Sequence, residues 1–262
     1  ATKGGLLVGA PYDVGAAYLF VDPLSDCIGC TAASDADSVF FGESTGDNAG
    51  SAVAVAGDVT CDGNADFLIG SPNHGGGDGA AYLMTSDNIS AYDMKLSGIN
   101  GFYTALGSSV VGLGDVDNDG CDDFAVGAPG DLSAVFVYLG DNSIDTGVTP
   151  ERVRLLGNSD GTGTNVNSAG DIDNDGVADL LVGTADTVSL IYAATLFDGF
   201  DVADDAAVVL TGVGGSSNAG AAIANIGDVN EDGYGDLFIG APGTDSPNTD
   251  QGATYLLFGL GL

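Results

Sequence analysis

Acidic side chains recur in this chain at spacings suited to metal binding. The segment 115–123 places Asp at its first, third, fifth and ninth positions and Gly at its sixth. Carboxylates this close repel one another by about 1 to 4 kcal/mol per pair, and a cation among them turns that cost into binding energy. Ca²⁺ takes six to eight hard oxygen ligands in a flexible geometry, often on a loop with a central glycine. The segment therefore predicts a calcium-binding loop.

The same pattern occurs four times, and successive loops begin 57, 56 and 57 residues apart. One Asp-x-Asp-x-Asp-Gly match is weak, but four matches at one period indicate a repeat architecture. The expected ligands at positions 1, 3, 5 and 9 of the four loops are Asp58, Thr60, Asp62 and Asp66; Asp115, Asp117, Asp119 and Asp123; Asp171, Asp173, Asp175 and Asp179; and Asp228, Asn230, Asp232 and Asp236. Because Thr60 and Asn230 are neutral, we expect three to four Ca²⁺ sites, with the weakest at the 58 loop.

The flanking residues argue against an EF-hand, which needs Glu at position 12 and a helix on each side of the loop. Position 12 here is Ile69, Val126, Val182 or Ile239. The residues before each loop, such as 51–57, are small and apolar, as in a strand. Each loop is therefore expected to be the turn of a β-hairpin. An acidic turn that binds nothing is the competing interpretation, since Asp, Asn and Gly dominate turns.

The composition excludes some classes of partner. The chain has 262 residues, 38 of them acidic and 4 basic, for a net charge of −34, which argues against nucleic acid. A halophilic surface would also be acidic, but it would not explain the fixed spacing. No apolar run approaches the roughly 20 residues that span a membrane. The sequence has no initiator Met and no signal peptide, so we expect a processed chain or part of a longer protein.

Cysteine usage points to an oxidising compartment. Cys27, Cys30, Cys61 and Cys121 lack the paired Cys or His ligand set of a zinc site. In an exported protein, two disulfides are the default, and three pairings are possible. We prefer Cys27–Cys30 together with Cys61–Cys121. Oxidised thiols and a need for millimolar Ca²⁺ both suit a secreted protein, extracellular or at the cell surface.

The rest of the chain consists of short apolar segments between glycine-rich turns. Strands are expected near residues 6–11, 15–20, 38–42, 51–57, 66–71, 79–84, 92–97, 106–114, 123–128, 133–139, 151–156, 164–170, 179–183, 187–193, 205–211, 220–227, 236–241 and 252–258. Four strands per repeat are typical of β-propeller blades. We expect an all-β propeller of about five four-stranded antiparallel blades, the first and last incomplete; a β-solenoid is the alternative. The single domain 1–262 would comprise blades 1–42, 43–98, 99–156, 157–211 and 212–262.

Three features together resemble the FG-GAP repeat: Phe41-Gly42 opening a repeat, the Asp-rich hairpin, and the Gly-Ala-Pro that follows it. That repeat builds the seven-bladed propeller of integrin α subunits and of many bacterial surface proteins. Ser71 and Thr184-Ala185 depart from its Gly-Ala-Pro. The resemblance implies that each loop joins the first and second strands of a blade. It also implies that position 7 ligates through its backbone carbonyl, at Asn64, Cys121, Val177 and Tyr234.

The resemblance further implies that ligands bind the opposite rim of the propeller. The loops there are 10–15, 42–50, 71–79, 98–106, 128–132, 157–163, 184–187, 212–219 and 241–251. The favoured function is a non-catalytic, extracellular calcium-binding propeller for recognition, adhesion or assembly, with a protein, a glycan or other copies of itself as partner. The alternatives are a structural subunit of a self-assembling filament or surface layer, and a catalytic or non-catalytic part of a larger secreted hydrolase.

Two further expectations concern His74 and the terminal blades. His74 is the only histidine and has no evident Ser or Cys nucleophile nearby in sequence, so we expect a solvated loop side chain. The first blade lacks its inner strand and the last its outer strand. Unpaired strand edges are normally covered, so we expect either a piece of a longer propeller or pairing of the terminal edges with another copy or a partner by strand addition.

Overall fold

A computed structural model of the chain describes residues 5–21, 33–85, 89–98, 104–142, 144, 152–157, 161–196, 206–212, 217–244 and 251–259. Its strands are β1 (Gly5–Ala10), β2 (Ala16–Val21), β3 (Ser38–Phe41), β4 (Ala52–Gly57), β5 (Asp66–Ser71), β6 (Ala80–Met84), β7 (Met94–Ser97), β8 (Ser109–Gly114), β9 (Asp123–Ala128), β10 (Ala134–Tyr138), β11 (Arg152–Leu156), β12 (Asn165–Gly170), β13 (Asp179–Gly183), β14 (Thr187–Ile191), β15 (Val208–Thr211), β16 (Ala222–Gly227), β17 (Asp236–Ala241) and β18 (Ala253–Leu257). The helical segments are α1 (His74–Gly77) and the 3-10 turns Ala33–Asp35 and Ala193–Thr195.

The strands form five antiparallel sheets in which each strand pairs with its neighbour in sequence. The sheets are β1-β2-β3, β4-β5-β6-β7, β8-β9-β10-β11, β12-β13-β14-β15 and β16-β17-β18. We call them blades 1 to 5. The prediction of an all-β propeller of about five blades is confirmed, and within the described residues the first and last blades have three strands each. Among the described residues, no helix has the length and apolar character needed to cross a membrane.

Small residues line the centre because the first strands of neighbouring blades lie side by side. β4 contacts β8, β8 contacts β12, and β12 contacts β16. A Cβ on Gly112 of β8 would come within 2.6 Å of the carbonyl oxygens of Val55 and Ala56 in β4. Any side chain at position 112, even that of Ala, would force these two strands apart.

The core is divided into four apolar clusters, each between two successive blades. Between blades 2 and 3, Leu68 and Leu83 pack with Val126 and Phe136. Successive residues of a strand point to opposite faces, so each complete blade contributes to two clusters. A fully buried side chain of this size contributes about 1.5 to 3 kcal/mol. Burial between blades, rather than within one sheet, therefore stabilises the arrangement.

The strand positions agree with expectation, and the exceptions have local causes. The strand expected at 106–114 begins at Ser109, because Ala105 and Gly107 have φ of 50° and 87° and form a turn. No helix was expected, and α1 is not a regular one, since Gly75 and Gly76 within it have φ of 65° and 80°. The glycine-rich turns thus shift the start of a strand and add a short helical segment, but they do not change the strand pairing of the blades.

Candidate metal centres

All four Asp-rich loops lie on one rim, because each connects the first and second strands of its blade. They join β4 to β5, β8 to β9, β12 to β13 and β16 to β17. The pairing register shifts just before each loop, as between Gly112 and Gly114 in β8. This shift is a β-bulge, which bends a strand and redirects the residues after it. The connection implied by the resemblance is therefore confirmed.

The 115 loop is closed by hydrogen bonds to its own carboxylates. The Asp115 carboxylate accepts the backbone N–H groups of Asp119 at 3.0 Å and of Gly120 at 2.9 Å. The Asp119 carboxylate accepts the N–H of Cys121 at 2.8 Å. Asn118 and Gly120 have φ of 61° and 98°, the left-handed region that Gly and Asn tolerate best. These bonds gather the acidic side chains around the loop.

The other three loops repeat these bonds. In each, the first Asp accepts the N–H groups of positions 5 and 6, at 2.8 to 3.0 Å. Position 4 again has a positive φ, at Cys61, Asn174 and Glu231. Positions 1, 4, 5 and 6 therefore define one loop shape. At position 3, the side-chain oxygen also accepts the N–H of position 5 in the 115, 171 and 228 loops, at 3.1 to 3.2 Å, and the 58 loop has Thr60 there.

Position 3 sets how much negative charge the loop collects. Carboxylate oxygens of Asp115, Asp117 and Asp119 lie within 4.8 Å of one another. Ca²⁺–oxygen distances are about 2.3 to 2.6 Å, so this spacing fits ligands around one ion. Burial raises the pKa of Asp117, and the negative charges of Asp119 and Asp115 raise it further. A cation at this point would relieve that repulsion.

The 171 loop forms a similar cluster, and the other two loops carry neutral side chains at position 3. Asp171, Asp173 and Asp179 bring carboxylate oxygens within 4.8 Å of one another. In the 228 loop, the amide nitrogen of Asn230 donates to Asp232 Oδ2 at 2.8 Å. The predicted ligands of the 115 and 171 loops are thus the more strongly acidic sets.

The ninth position has a structural role that the sequence pattern does not show. Asp123 is fully buried, and its two oxygens accept the N–H groups of Val116 at 2.6 Å and Gly140 at 2.7 Å. It therefore fastens the loop to the end of the third strand. Asp179 and Asp236 make the equivalent pairs of bonds. Burial raises the pKa of Asp123 to about 7.

The 58 loop differs from the other three loops in the contacts of its ninth position, Asp66. Thr60 is buried, and both its N–H and its hydroxyl donate to Asp66 Oδ2, at 3.1 and 3.4 Å. The hydroxyl predicted as a metal ligand is therefore engaged with another predicted ligand. Burial raises the pKa of Asp66 to about 7.

Neighbouring loops are joined to each other. A disulfide connects Cys61 at position 4 of the 58 loop to Cys121 at position 7 of the 115 loop, with a Cα–Cα distance of 5.1 Å. Asp122 reinforces this connection: its carboxylate accepts the N–H of Asp58 at 2.7 Å, and its own N–H donates to the Asp58 carbonyl at 3.0 Å. The predicted Cys61–Cys121 pairing is confirmed. The predicted Cys27–Cys30 pair lies outside the described residues.

The opposite rim contains a polar cluster around His74. Its Nδ1 lies 2.9 Å from Asp47 Oδ2, and its Nε2 lies 3.9 Å from Glu43 Oε2. Lys95 Nζ lies 2.8 Å from the same Glu43 oxygen. The expectation of a solvated histidine was wrong, since the His74 side chain is only 19% exposed. Asp47 comes from the loop between blades 1 and 2, a contact that depends on blade packing.

The chain matches the FG-GAP repeat model at residues 106–139 and 219–257. These two repeats keep Gly-Ala-Pro intact, at 127–129 and 240–242. The chain is 33% identical to integrin alpha-4 of Xenopus laevis over 156 residues, 54% of this chain and 15% of that protein. It is 34% identical to integrin alpha-6 of Homo sapiens over 162 residues, 59% of this chain and 14% of that protein. It is 31% identical to integrin alpha-PS5 of Drosophila melanogaster over 157 residues, which are 55% of this chain and 16% of that protein. The chain therefore spans about 15% of the length of these curated relatives.

Proposed function

We propose, from the FG-GAP repeats that this chain shares with integrin α subunits, that it is a single non-catalytic, calcium-binding β-propeller domain that serves extracellular recognition or adhesion. The observation that carries the proposal is the common hydrogen-bonded shape of the four Asp-rich loops on one rim. Four loops with the same bonds, two of which gather three carboxylates within 4.8 Å of one another, are better suited to holding ions than to connecting strands alone.

Three to four Ca²⁺ ions would occupy these loops. In the 115 loop, the ligands would be the carboxylates of Asp115, Asp117, Asp119 and Asp123 and the backbone carbonyl of Cys121. The 4.8 Å spacing of three of these carboxylates supports this set. The corresponding positions of the 58, 171 and 228 loops would hold the other ions, most weakly at the 58 loop. Bound Ca²⁺ would offset the repulsion among carboxylates and hold each hairpin in its bulged shape.

The location follows from the affinity such sites need. Extracellular calcium modules bind with dissociation constants of about 10⁻⁴ to 10⁻³ M. The calcium concentration outside cells is high enough to fill sites of this affinity. The Cys61–Cys121 disulfide also suits an oxidising compartment. Both features support a secreted or cell-surface protein.

The opposite rim would contact the partner, a protein or a glycan. A cavity of about 550 Å³ lies there between the loops 44–47 and 73–77. The two ring nitrogens of His74 face carboxylates of Asp47 and Glu43. Ser44 and Thr45 also line this cavity, but each ring nitrogen of His74 faces a carboxylate. The arrangement therefore supports recognition by a polar surface.

Thermal unfolding with and without calcium tests the proposal. Because the ions bind only the folded state, Ca²⁺ should raise the Tm, and excess chelator should lower it. The double variant Asp119→Ala/Asp175→Ala should lose most of this response, whereas Asp13→Asn, an exposed carboxylate away from the four loops, should keep it. An unchanged melting curve in excess chelator would rule out the calcium role.

A further inference from the structure

The 58 loop has fewer hydrogen bonds of its own than the other three Asp-rich loops. In those three, the side-chain oxygen of position 3 accepts the N–H of position 5. In the 58 loop, position 3 is Thr60, whose hydroxyl donates to Asp66 instead. Among the described residues, the N–H of Asp62 is left with one acceptor, the Asp58 carboxylate. The 58 loop therefore holds its own ligands less firmly than the others do.

The neighbouring 115 loop supplies support to the 58 loop from outside. Asp122, at position 8 of the 115 loop, accepts the N–H of Asp58 through its carboxylate at 2.7 Å. The N–H of Asp122 donates to the carbonyl of Asp58 at 3.0 Å. Asp58 is the residue whose own carboxylate closes the 58 loop, by accepting the N–H groups of positions 5 and 6. One residue of the 115 loop thus fixes both polar backbone groups of the first ligand of the 58 loop.

The glycine before the 58 loop leaves room for this carboxylate. Gly57 has a φ of 92°, and a Cβ there would lie 2.2 Å from Asp122 Oδ2. The equivalent glycines before the 115 and 228 loops, Gly114 and Gly227, also have positive φ. A Cβ on either of them would meet no heavy atom within 4 Å. The Asp122 carboxylate therefore occupies the space that a side chain at position 57 would fill.

Two further links join the same pair of loops. The N–H of Asp141 donates to the carbonyl of Val59, position 2 of the 58 loop, at 3.0 Å. The residue before it, Gly140, donates to Asp123, a predicted ligand of the 115 loop, at 2.7 Å. The disulfide joins position 4 of the 58 loop to position 7 of the 115 loop. A change in the backbone of either loop is therefore passed to the other.

The other neighbouring loops lack such links. Position 8 is Ala178 in the 171 loop and Gly235 in the 228 loop, and neither has a carboxylate. Within the part of the chain that the structure describes, no hydrogen bond or disulfide joins the 115 loop to the 171 loop, or the 171 loop to the 228 loop. The 115 and 171 loops share only an apolar cluster, which includes Val116 and Val177. The polar connection is thus particular to the 58 and 115 loops.

We propose that Asp122 is a positioning residue for the calcium site of the neighbouring loop, so that the 58 and 115 loops bind Ca²⁺ as a coupled pair. This inference rests on the calcium-binding function proposed above. An ion in the 115 loop fixes the backbone that carries Asp122, and Asp122 then holds Asp58 where its carboxylate serves as a ligand. Coupling between two sites is reciprocal, so an ion in the 58 loop strengthens the 115 site by the same factor. The 171 and 228 loops bind independently of this pair.

Hydrogen exchange resolved by loop, measured on the chelator-stripped chain at increasing Ca²⁺, tests the role of Asp122. The midpoint of protection reports the filling of each loop. Asp122→Ala should move the midpoint of the 58 loop to about fivefold higher Ca²⁺, the low end of the usual range for coupled sites, and should leave that of the 171 loop unchanged. Asp122→Asn removes the same charge but keeps an oxygen that accepts the N–H of Asp58, so its midpoint should stay close to that of wild type.

A matched control removes an equivalent contact from the opposite rim. There the Asp186 carboxylate accepts the N–H of Ser217 at 3.0 Å and so connects blade 4 to the segment that precedes blade 5. Asp186→Ala should leave the midpoints of all four loops unchanged.

Removing one ion at a time tests the coupling without touching Asp122. Asp119→Ala takes a ligand from the 115 loop and should also move the midpoint of the 58 loop to higher Ca²⁺. Asp175→Ala takes the equivalent ligand from the 171 loop and should leave the 115 loop unchanged, although the two loops are neighbours.

The outcomes separate the coupling from the calcium function itself. If no loop gains protection at any Ca²⁺ concentration, the proposed function fails, and the coupling fails with it. If the loops gain protection but the midpoint of the 58 loop does not move in Asp122→Ala or in Asp119→Ala, the coupling alone is overturned. A shift in Asp122→Asn as large as that in Asp122→Ala would also overturn it, because charge rather than positioning would then explain the effect.

Discussion

The 58 and 115 loops reach the same shape by different means. In both, the first Asp accepts the N–H groups of positions 5 and 6. Position 4 has a left-handed backbone in both, but it is Asn118 in one loop and Cys61 in the other. Asn tolerates this conformation better than Cys, and Cys61 is held by the disulfide to Cys121. The loop shape therefore does not depend on the charge at position 3. The 58 loop, which has fewer carboxylates, is the one whose position 4 carries the disulfide.

Removing the disulfide should have the largest effect on stability and on the difference between the two loops. The double variant Cys61→Ser/Cys121→Ser opens a link between residues 60 positions apart, and the chain-entropy model gives a loss of about 4 kcal/mol. Denaturant unfolding in saturating Ca²⁺ measures it. Hydrogen exchange should rise more in the 58 loop than in the 115 loop. An equal rise in hydrogen exchange in the two loops would show that the disulfide does not hold the 58 loop.

The second test removes the carboxylate at position 5 from each loop in turn. Asp119→Ala should lose one ion and lower stability in Ca²⁺ by about 2 kcal/mol, within the usual range for breaking a charged network. Asp62→Ala should lower stability in Ca²⁺ by less, because the 58 loop has the neutral Thr60 at position 3 and is expected to bind its ion most weakly. In excess chelator, the deficit of Asp119→Ala should shrink, since the substitution also removes a repelling charge. Calorimetry that still counts every ion in Asp119→Ala would refute the ligand assignment.

The third test asks whether the loop shape is shared. Gly63 and Gly120 have φ of 89° and 98°, and a Cβ at either would meet no heavy atom within 4 Å. Gly63→Ala and Gly120→Ala should therefore each cost about 1 kcal/mol, from backbone strain alone. Chemical denaturation of the two variants should give equal losses. A much smaller loss for Gly63→Ala would mean that the 58 loop does not need this conformation.

The smallest expected effect comes from Thr60→Asp, which gives the 58 loop the third carboxylate of the 115 loop. More ligand charge should raise its calcium affinity about threefold, which is about 0.6 kcal/mol. In excess chelator, the variant should be about 1 kcal/mol less stable, because the Thr60 hydroxyl no longer donates to Asp66. A calcium titration compared with wild type measures the gain. Unchanged affinity would mean that position 3 does not face the ion.

Apart from the Cys61–Cys121 disulfide, the features that the sequence predicted are local ones. The strands follow from short apolar segments between glycines, and the loops follow from an acidic pattern within nine residues. The features it missed depend on blade packing. Asp122 bonds to Asp58, 64 residues away, and His74 bonds to Asp47, 27 residues away. The buried role of Asp123 was also hidden, because its partner Gly140 lies at the end of another strand. No periodicity in the sequence encodes these contacts.

Isothermal titration of the chelator-stripped chain with Ca²⁺ tests the central claim most directly, since it counts ions bound by the Asp-rich loops. The intact chain should bind three to four ions. Asp119→Ala/Asp175→Ala should lose the two tightest, while Asp13→Asn should bind like wild type. An intact chain that binds no Ca²⁺, or a double variant that binds as many ions as wild type, would contradict the assignment of these loops as metal centres.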